Sequence, residues 1–269
     1  METMQNDKPS LGRKPKFGPK LKNTSWENVA GWYSQLLESE GTYQKELILP
    51  NLLRLMDIRS SDVVLDLACG QGFFAREFYK KAKQVIGVDA SSSLVAIARK
   101  TSPKALAFHI ARADEQSFIK DGAVDKVAIV LALQNMENTA AVTQECARVI
   151  KKGGDLFIVL NHPAFRVPKE SSWGWDEKEK VQYRRVDRYL SELKVSIAMH
   201  PGKTSTSYTT SFHRPLQSYF KALGKAGFGV VAMEEWNSHK KSELGPRAAA
   251  EDIARKEIPL FLCLVGKKM

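Results

Sequence analysis

The residues with the clearest chemical potential form a short run of one acid and two glycines. Residues 66–72 read DLACGQG, so Asp66, Gly70 and Gly72 follow directly on an apolar, β-type segment. A strand that ends in a glycine turn and opens a helix lets the backbone approach a ligand closely, and in open α/β sheets ligands lie beyond the carboxyl ends of the strands. The pattern predicts a binding site for a nucleotide-like cofactor.

The charge of Asp66 distinguishes a dinucleotide cofactor from a cationic one. Gly70, Gly72 and Ala75 also satisfy the glycine pattern of dinucleotide-binding proteins, so the glycines alone leave NAD open. An acid at the end of the first strand repels a pyrophosphate, whereas it attracts the cationic amino group and sulfonium of S-adenosylmethionine (SAM). Asp66 therefore favours SAM.

Two further acidic positions follow later β-type runs. Asp89, which precedes Ala90, lies 23 positions beyond Asp66, close to the interval of about 20 at which an acid binds ribose hydroxyls. Asp114 and Glu115 follow the next run. One acid after a strand is often only a helix cap, but acids in register after three successive strands are hard to assign to capping alone.

Residues 63–75 resemble motif I of the class I SAM-dependent methyltransferases, in which an acid and one further residue precede GxGxG. Gly70 and Gly72 match, and Ala68 stands where the first glycine usually lies. The resemblance covers most of the chain, is strongest over 62–161, and looks most like the small-molecule and quinone enzymes of the type 11 group. It implies SAM as cofactor and S-adenosylhomocysteine as product. The SAM-binding residues that it implies are Asp66, Ala68, Gly70, Gly72, Asp89, Ala90, Asp114, Glu115 and Leu131.

Strand-like and helix-like segments alternate along the same part of the chain, which predicts a parallel sheet with helices on both faces. The resemblance implies a Rossmann-like, seven-stranded, mostly parallel sheet with an antiparallel last strand. Predicted strands cover 63–67, 84–88, 105–111, 127–133, 156–160, 230–236 and 258–265, with a turn at 152–154. Predicted helices cover 26–36, 42–56, 73–83, 92–100, 139–150 and 216–226.

The regular alternation stops after the fifth predicted strand. Residues 162–213 are predicted to form an insertion that acts as a lid over the carboxyl edge of the sheet, with a hairpin of strands 194–199 and 204–212. Residues 23–269 then form one domain, preceded by a disordered basic tail over 1–22.

The predicted lid mixes aromatic and cationic side chains, which suits an anionic, partly apolar small molecule and also the stacking of nucleotides. SAM carries its own leaving group, so alignment of the acceptor and exclusion of water matter more than a base. We expect the acceptor to contact side chains after the fourth and fifth strands, in the lid and in the first helix. These are Tyr33, Gln134, Asn135, Arg166, Trp173 and Tyr183.

Two histidines are the predicted bases if the reaction uses one. His162 follows the fifth strand, where Pro163 restricts the backbone, and His213 ends the insertion. An imidazole can take a proton from a hydroxyl or an ammonium acceptor near neutral pH. The alternative for each histidine is a hydrogen bond that only holds the lid in place.

The net charge of +11 is concentrated in two segments. Residues 1–22 hold six basic side chains against two acidic ones, and residues 151–225 hold fourteen against seven. This distribution leaves RNA methylation open beside a small-molecule acceptor, although no RNA-binding module is recognised. A SAM-binding module without catalysis is the third alternative.

The composition argues against metal-binding, membrane-spanning and secreted proteins. The three cysteines lie far apart without a CxxC pair, so no structural metal is expected. No apolar run approaches the roughly 20 residues of a transmembrane helix. The first residues lack the apolar core of a secretory signal. We therefore expect a cytoplasmic protein.

Overall fold

The computed structural model describes residues 26, 27, 31, 40–199 and 207–269. The predicted tail over 1–22 and nearly all of the predicted helix over 26–36, including Tyr33, lie outside these residues. Within the described part, no helix combines the length and the apolar character needed to span a bilayer.

A seven-stranded sheet forms the centre of the fold, and two hairpins are inserted between its fifth and sixth strands along the chain. The spatial order of the sheet places the last strand of the chain inside it, antiparallel to both of its neighbours. The predicted sheet, mostly parallel with an antiparallel last strand, is thus confirmed. In chain order the strands are β1 (Val63–Leu67), β2 (Gln84–Asp89), β3 (Ala107–Ile110), β4 (Val124–Val130), β5 (Ile150–Asn161), β6 (Ser171–Asp176), β7 (Val181–Val186), β8 (Leu193–Ala198), β9 (Tyr208–His213), β10 (Phe228–Trp236) and β11 (Phe261–Lys268). The sheet runs β10-β11-β5-β4-β1-β2-β3.

The helices of the described chain flank this sheet. A π-helical turn, Gln44–Ile48, leads directly into α1, and Pro50 lies in the first turn of α1, where its missing N–H needs no partner. The side chain of Ser91 caps the helix after β2 by accepting a hydrogen bond from the Leu94 N–H. The α-helices are α1 (Leu49–Met56), α2 (Phe73–Tyr79), α3 (Ser92–Thr101), α4 (Thr139–Val149), α5 (Leu216–Lys225) and α6 (Ala248–Glu257).

Two apolar cores lie on the two faces of the sheet. In β5, Leu156, Ile158 and Leu160 join one core, whereas Phe157 and Val159 join the other. Successive side chains of a strand point to opposite faces, so a strand covered on both faces must be apolar at every position. The short apolar runs of the sequence identify the central strands for this reason.

Some predicted boundaries are wrong. β4 begins and ends three residues before the predicted 127–133, because Leu131 has a φ of 53°, which an extended strand does not allow. The predicted turn at 152–154 is an irregular part of β5, with Gly153 at a φ of 76° and a shifted register against β4. β11 begins and ends three residues after the predicted 258–265, and α2 stops at Tyr79 rather than at residue 83.

The insertion over 162–213 contains two hairpins, of which the sequence predicted one. β8 and β9 pair as predicted, with residues 200–206 between them outside the described part. The β6–β7 hairpin was not predicted, nor was α6, which packs against β7. Whether the insertion acts as a lid stays a prediction.

Candidate cofactor and acceptor site

The chain turns sharply at the carboxyl end of β1. Ala68, Gly70 and Gly72 all have positive φ, at 62°, 54° and 79°, a conformation that glycine adopts freely and that strains alanine. The Cys69 N–H donates to the Val88 carbonyl at 3.0 Å, which ties the turn to β2. The glycine run thus supplies the tight strand-to-helix turn that the sequence predicts.

A ring from β3 packs against this turn. A Cβ atom on Gly72 would lie 2.8 Å from the buried Phe108 ring, and the same ring occupies the space that a Cβ on Gly87 would need. Gly72 is therefore required by packing as well as by its backbone conformation. The role of Phe108 was not visible in the sequence, because nothing in a strand pattern shows which ring crosses to a distant glycine.

Asp66 is buried at the end of β1, with 1% of its surface exposed. Its Oδ2 atom has no hydrogen-bond partner among the described residues. Burial raises the pKa of this carboxyl to about 7; the Ala75 N–H lowers it, the Asp89 charge raises it and the Arg76 charge lowers it. A buried, unpaired carboxylate oxygen is costly unless a donor or cation reaches it, so Asp66 is suited to receive a cationic group.

Asp89 joins the ends of β1 and β2. Its Oδ2 atom accepts the Gly70 N–H at 2.9 Å, and its Oδ1 atom accepts the Ser91 N–H at 2.8 Å. Burial raises the pKa of the carboxyl, while these backbone hydrogen bonds lower it. Each carboxylate oxygen keeps a second lone pair, so Asp89, with Ala90 after it, is held in place and can still accept from a ligand.

Asp114 and Glu115, the acids after β3, are more exposed than Asp66. Both oxygens of Asp114 accept from the Arg112 guanidinium, at 2.8 and 2.7 Å, and this contact lowers the pKa of Asp114 below its ordinary value. Glu115 is exposed. The predicted contact of these acids with SAM stays a prediction, and it requires that Asp114 share its carboxylate with Arg112.

The carboxyl end of β4 repeats two features of the β1 end. Leu131 has positive φ, and its carbonyl accepts the side-chain amides of Gln134 at 2.9 Å and Asn135 at 3.3 Å. The Oε1 atom of Gln134 is buried without a partner among the described residues. Because β1 and β4 are neighbours, Gln134 and Asp66 present two unpaired oxygens at adjoining strand ends.

His162 lies beyond β5 and points away from β4. Its Nε2 atom lies 2.7 Å from Oε1 of Glu235 on β10, and its Nδ1 atom accepts the Ala164 N–H at 3.2 Å. Burial lowers the pKa of His162, while the hydrogen bond and the charge of Glu235 raise it. Both ring nitrogens are thus engaged, so a role as base, which stays a prediction, would require the ring to leave Glu235.

His213 lies nearer to the β4 end, because β9 packs against the turn at Leu133–Asn135. Its Nε2 atom donates to the Tyr189 carbonyl at 2.8 Å, which leaves the Nδ1 lone pair of the neutral ring as an acceptor. Next to it, Arg214 donates to the Glu137 carbonyl at 2.6 Å, and its Nη1 atom is buried without a partner in the described chain. Arg214 is not among the acceptor residues predicted from the sequence.

The structure brings two of the predicted acceptor residues together and separates a third. Arg166 and Trp173 line one small cavity together with Arg184, which was not among the predicted acceptor residues. Trp173 is the partner of Arg184 across the β6–β7 hairpin, whereas Tyr183 is the partner of Gly174. Since adjacent strand residues face opposite sides, Tyr183 lies on the other face of the hairpin.

Comparison with known proteins agrees with this geometry. Residues 65–158, from β1 into β5, match the type 11 family described as a methyltransferase domain. A crystal structure of an S-adenosylmethionine-dependent methyltransferase from Mesorhizobium loti has the same fold, with a TM-score of 0.67 and 22% identity over 84% of this chain and 100% of that one.

Two curated relatives match over part of their length. A ubiquinone biosynthesis O-methyltransferase of Sodalis glossinidius is 31% identical over 97 residues, which are 35% of this chain and 39% of that protein. A ubiquinone/menaquinone biosynthesis C-methyltransferase of Cupriavidus pinatubonensis is 30% identical over 162 residues, which are 55% of this chain and 65% of that protein. The chain therefore spans less than two thirds of either relative.

The fold and the β1 motif define a class I SAM-dependent methyltransferase domain. Residues 65–158 are thus similar to the type 11 methyltransferase domain, and the chain as a whole shares the fold of SAM-dependent methyltransferases.

Proposed function

We propose that this protein transfers the methyl group of SAM to a small-molecule acceptor. The observation that carries the proposal is the pair of buried oxygens, Oδ2 of Asp66 and Oε1 of Gln134, that lack partners at the ends of the neighbouring strands β1 and β4. A buried acceptor atom left unpaired costs about 1–3 kcal/mol. Such a cost is offset when a ligand supplies the missing donors, and SAM carries both an ammonium group and hydroxyls.

The residues at the ends of β1 and β2 fit SAM in charge and in hydrogen-bonding capacity. Asp66 would accept from the cationic amino group, and Asp89, anchored by the N–H groups of Gly70 and Ser91, would accept from the ribose hydroxyls. The turn over 68–72 lets the backbone approach the ligand. When bound, SAM supplies an electrophilic methyl group on a sulfonium that is its own leaving group.

The acceptor would lie beyond β4, where the turn at Leu133–Asn135 meets β9. Gln134 Oε1 is available to a donor of the acceptor, and Arg214 Nη1 to one of its oxygens. His213 is the better placed of the two predicted bases, because its Nδ1 lone pair can take the proton that a hydroxyl or ammonium acceptor loses. The remaining side chains of the insertion would exclude water.

The relatives support a small, partly apolar acceptor. The two described above are named for O-methylation and C-methylation in the biosynthesis of ubiquinone and menaquinone. Neither name fixes the atom that this chain methylates, since the two reactions differ in their nucleophile.

Calorimetric titration with S-adenosylhomocysteine tests the cofactor half of the proposal. Asp89→Ala should weaken binding about 10–100-fold, the equivalent of roughly 1.5–3 kcal/mol for hydrogen bonds to a charged group. Asp121→Asn is the control, because that carboxylate is exposed and lies at the opposite, amino end of β4. Unchanged affinity of the Asp89→Ala variant would contradict the assignment.

Methyl-labelled SAM tests the transfer itself and separates the competing functions. The β6–β7 hairpin exposes Tyr183 and Arg185, which is the observation that favours RNA. The enzyme is incubated in parallel with a metabolite extract and with total cellular RNA. Label in a small molecule supports the proposal, label in RNA with binding that weakens steeply with salt supports RNA methylation, and tight SAM binding without label in either supports a non-catalytic module.

A further inference from the structure

We propose that the cavity beneath the β6–β7 hairpin binds the oxyanion group of a small molecule, a carboxylate or a phosphate, between Arg166 and Arg184. The cavity has a volume of about 120 Å³. Its lining comprises these two arginines, Phe165, Trp173 and residues 258–260. Two cationic side chains and no acidic one line it, so the cavity itself selects for negative charge.

The partners of the two arginines are all neutral. Arg166 donates to Oδ1 of Asn161 at 3.2 Å. Arg184 donates through Nε to the Phe165 carbonyl at 2.8 Å and through Nη2 to the Ser171 hydroxyl at 2.7 Å. These contacts fix the guanidinium groups in place without compensating their charge.

Neither guanidinium forms an ion pair with a carboxylate within the described ranges. On the same strand, by contrast, the Arg185 guanidinium forms an ion pair with the Asp187 carboxylate at 2.9 Å. Burial lowers the pKa of Arg166, and the charge of Arg184 lowers it further; burial also lowers the pKa of Arg184. Two like charges that are partly buried together are unfavourable until an anion lies between them.

Each guanidinium also lies over an aromatic ring. The Cζ atom of Arg184 is 5.1 Å from the centre of the Trp173 ring, and that of Arg166 is 5.7 Å from the centre of the Phe261 ring. Stacking holds the planar group by its face and leaves its N–H edge to bind an oxyanion. The rings that line the cavity, Trp173 and Phe165, also provide an apolar wall for the remainder of a small anion.

The cavity lies on the edge of the sheet that holds the proposed acceptor site. Asn161, the partner of Arg166, is the last residue of β5, and β5 is the neighbour of β4. The oxyanion would fix one end of the acceptor while its nucleophile lies beyond β4. This role as acceptor site rests on the proposed methyl transfer, whereas the binding of an anion does not.

Calorimetric titration of the full chain at low ionic strength tests the proposal. The probes are benzoate, phenyl phosphate and inorganic phosphate, with benzamide as the neutral analogue. We expect at least one anion to bind saturably and benzamide not to bind, and the preferred anion identifies carboxylate or phosphate as the source. Arg166→Gln and Arg184→Gln should each weaken that binding at least ten-fold, because each removes charge-assisted donors.

Arg185→Gln is the matched control, since it removes a charge from the same strand outside the cavity. Its anion affinity should equal that of the wild type. If no anion binds saturably, or if both cavity variants keep the wild-type affinity, the proposal is wrong. Should a glutamine variant fail to fold, Arg166→Lys or Arg184→Lys, which keeps the charge and loses the planar fork, must still weaken anion binding.

Titration of every variant with S-adenosylhomocysteine separates this proposal from the proposed function. Anion binding without cofactor binding in the wild type would leave the oxyanion site intact and overturn the methyl-transfer proposal. Cofactor binding without anion binding would overturn the oxyanion site and leave the methyl-transfer proposal intact. Wild-type cofactor affinity in the Arg166 and Arg184 variants also demonstrates that they are folded.

Discussion

The cofactor end of the sheet and the insertion over 162–213 are built by different means. At the ends of β1 and β2 the site is largely backbone: positive φ at Ala68 and Gly72, and N–H groups that hold Asp89. In the insertion the polar groups are side chains of Arg166 and Arg184, held by hydrogen bonds to neutral partners. A site built from backbone conformation requires particular residue types at fixed positions along the chain. A site built from side chains can combine residues whose separation in the sequence follows no pattern.

The two regions also differ in burial. Four of the five residues of β1 are buried, whereas no residue of β6 or β7 is. Apolar burial is the main favourable contribution to folding, and segments with few buried contacts open most readily. The cofactor end should therefore tolerate few substitutions, while the hairpin should tolerate many.

Gly72→Ala should destabilise the protein most. The new Cβ combines the strain of a φ of 79° with a contact 2.8 Å from the Phe108 ring, so we expect a loss of about 2–4 kcal/mol in the free energy of unfolding. Gly153→Ala is the matched control, because its φ of 76° has nothing within 4 Å of the new Cβ. Denaturant unfolding of both variants isolates the packing contribution, and equal losses would show that Phe108 contributes nothing.

Asp66→Asn should weaken cofactor binding and stabilise the protein without cofactor. Burial raises the pKa of Asp66 to about 7, so between pH 4 and 7 the folded state retains a proton that the unfolded state releases, and this contribution to stability falls as pH rises. At pH 8 the variant avoids ionising a buried carboxyl, and we expect a gain of about 2–4 kcal/mol. Thermal unfolding at pH 5 and pH 8 measures the difference between variant and wild type, which should be less than half as large at pH 5 as at pH 8.

Cofactor affinity gives the second measurement on Asp66. A cationic amino group binds the carboxylate and not the neutral acid, so wild-type affinity for S-adenosylhomocysteine should fall as pH falls through about 7. The Asp66→Asn variant should bind about 10–100-fold more weakly at pH 8 and show a flatter profile. Parallel profiles for the two proteins would mean that another group titrates.

Tyr183→Ser tests the tolerance of the hairpin. Tyr183 covers Gly174, and about half of its side chain (48%) is exposed, so its removal should cost about 1 kcal/mol or less. Affinity for S-adenosylhomocysteine should not change, because Tyr183 lies on the far face of the hairpin. A loss as large as that of Gly72→Ala would remove the contrast between the two regions.

Ala68→Gly should have the smallest effect. Alanine at a φ of 62° is strained, and glycine relieves this strain while adding entropy to the unfolded chain. These contributions nearly cancel, so we expect a gain of about 0–1 kcal/mol in the free energy of unfolding and unchanged cofactor affinity. Thermal unfolding is the measurement, and a clear loss of stability would contradict the strain at Ala68.

The sequence predicted those parts of the fold in which a residue type is demanded by local geometry. The turn after β1 and the central strands are of this kind. α6 was missed because only Ala254 among its residues is buried, so it has no apolar stripe to detect. The β6–β7 hairpin was missed because its turn contains neither glycine nor proline; Oδ1 of Asp176 accepts the N–H groups of Lys178 and Glu179 instead.

The site residues also divide into those that local sequence spacing predicts and those that it does not. Asp66 and Asp89 follow from their positions after successive strands, and the structure brings them close enough for the charge of one to raise the pKa of the other. Arg184 and Arg214 do not follow from any spacing, because their positions depend on the path of the insertion. The direction of His162 toward Glu235 depends on the position of β10, which the local sequence does not specify.

The position of β11 has a consequence for biosynthesis. β11 lies between β5 and β10, is buried over 261–265, and pairs Phe261 with Asn161. On the ribosome, the β5 edge that pairs with β11 therefore keeps unpaired backbone N–H and C=O groups while roughly a hundred further residues, including the whole insertion, are made. Exposed edges of this kind invite wrong pairing.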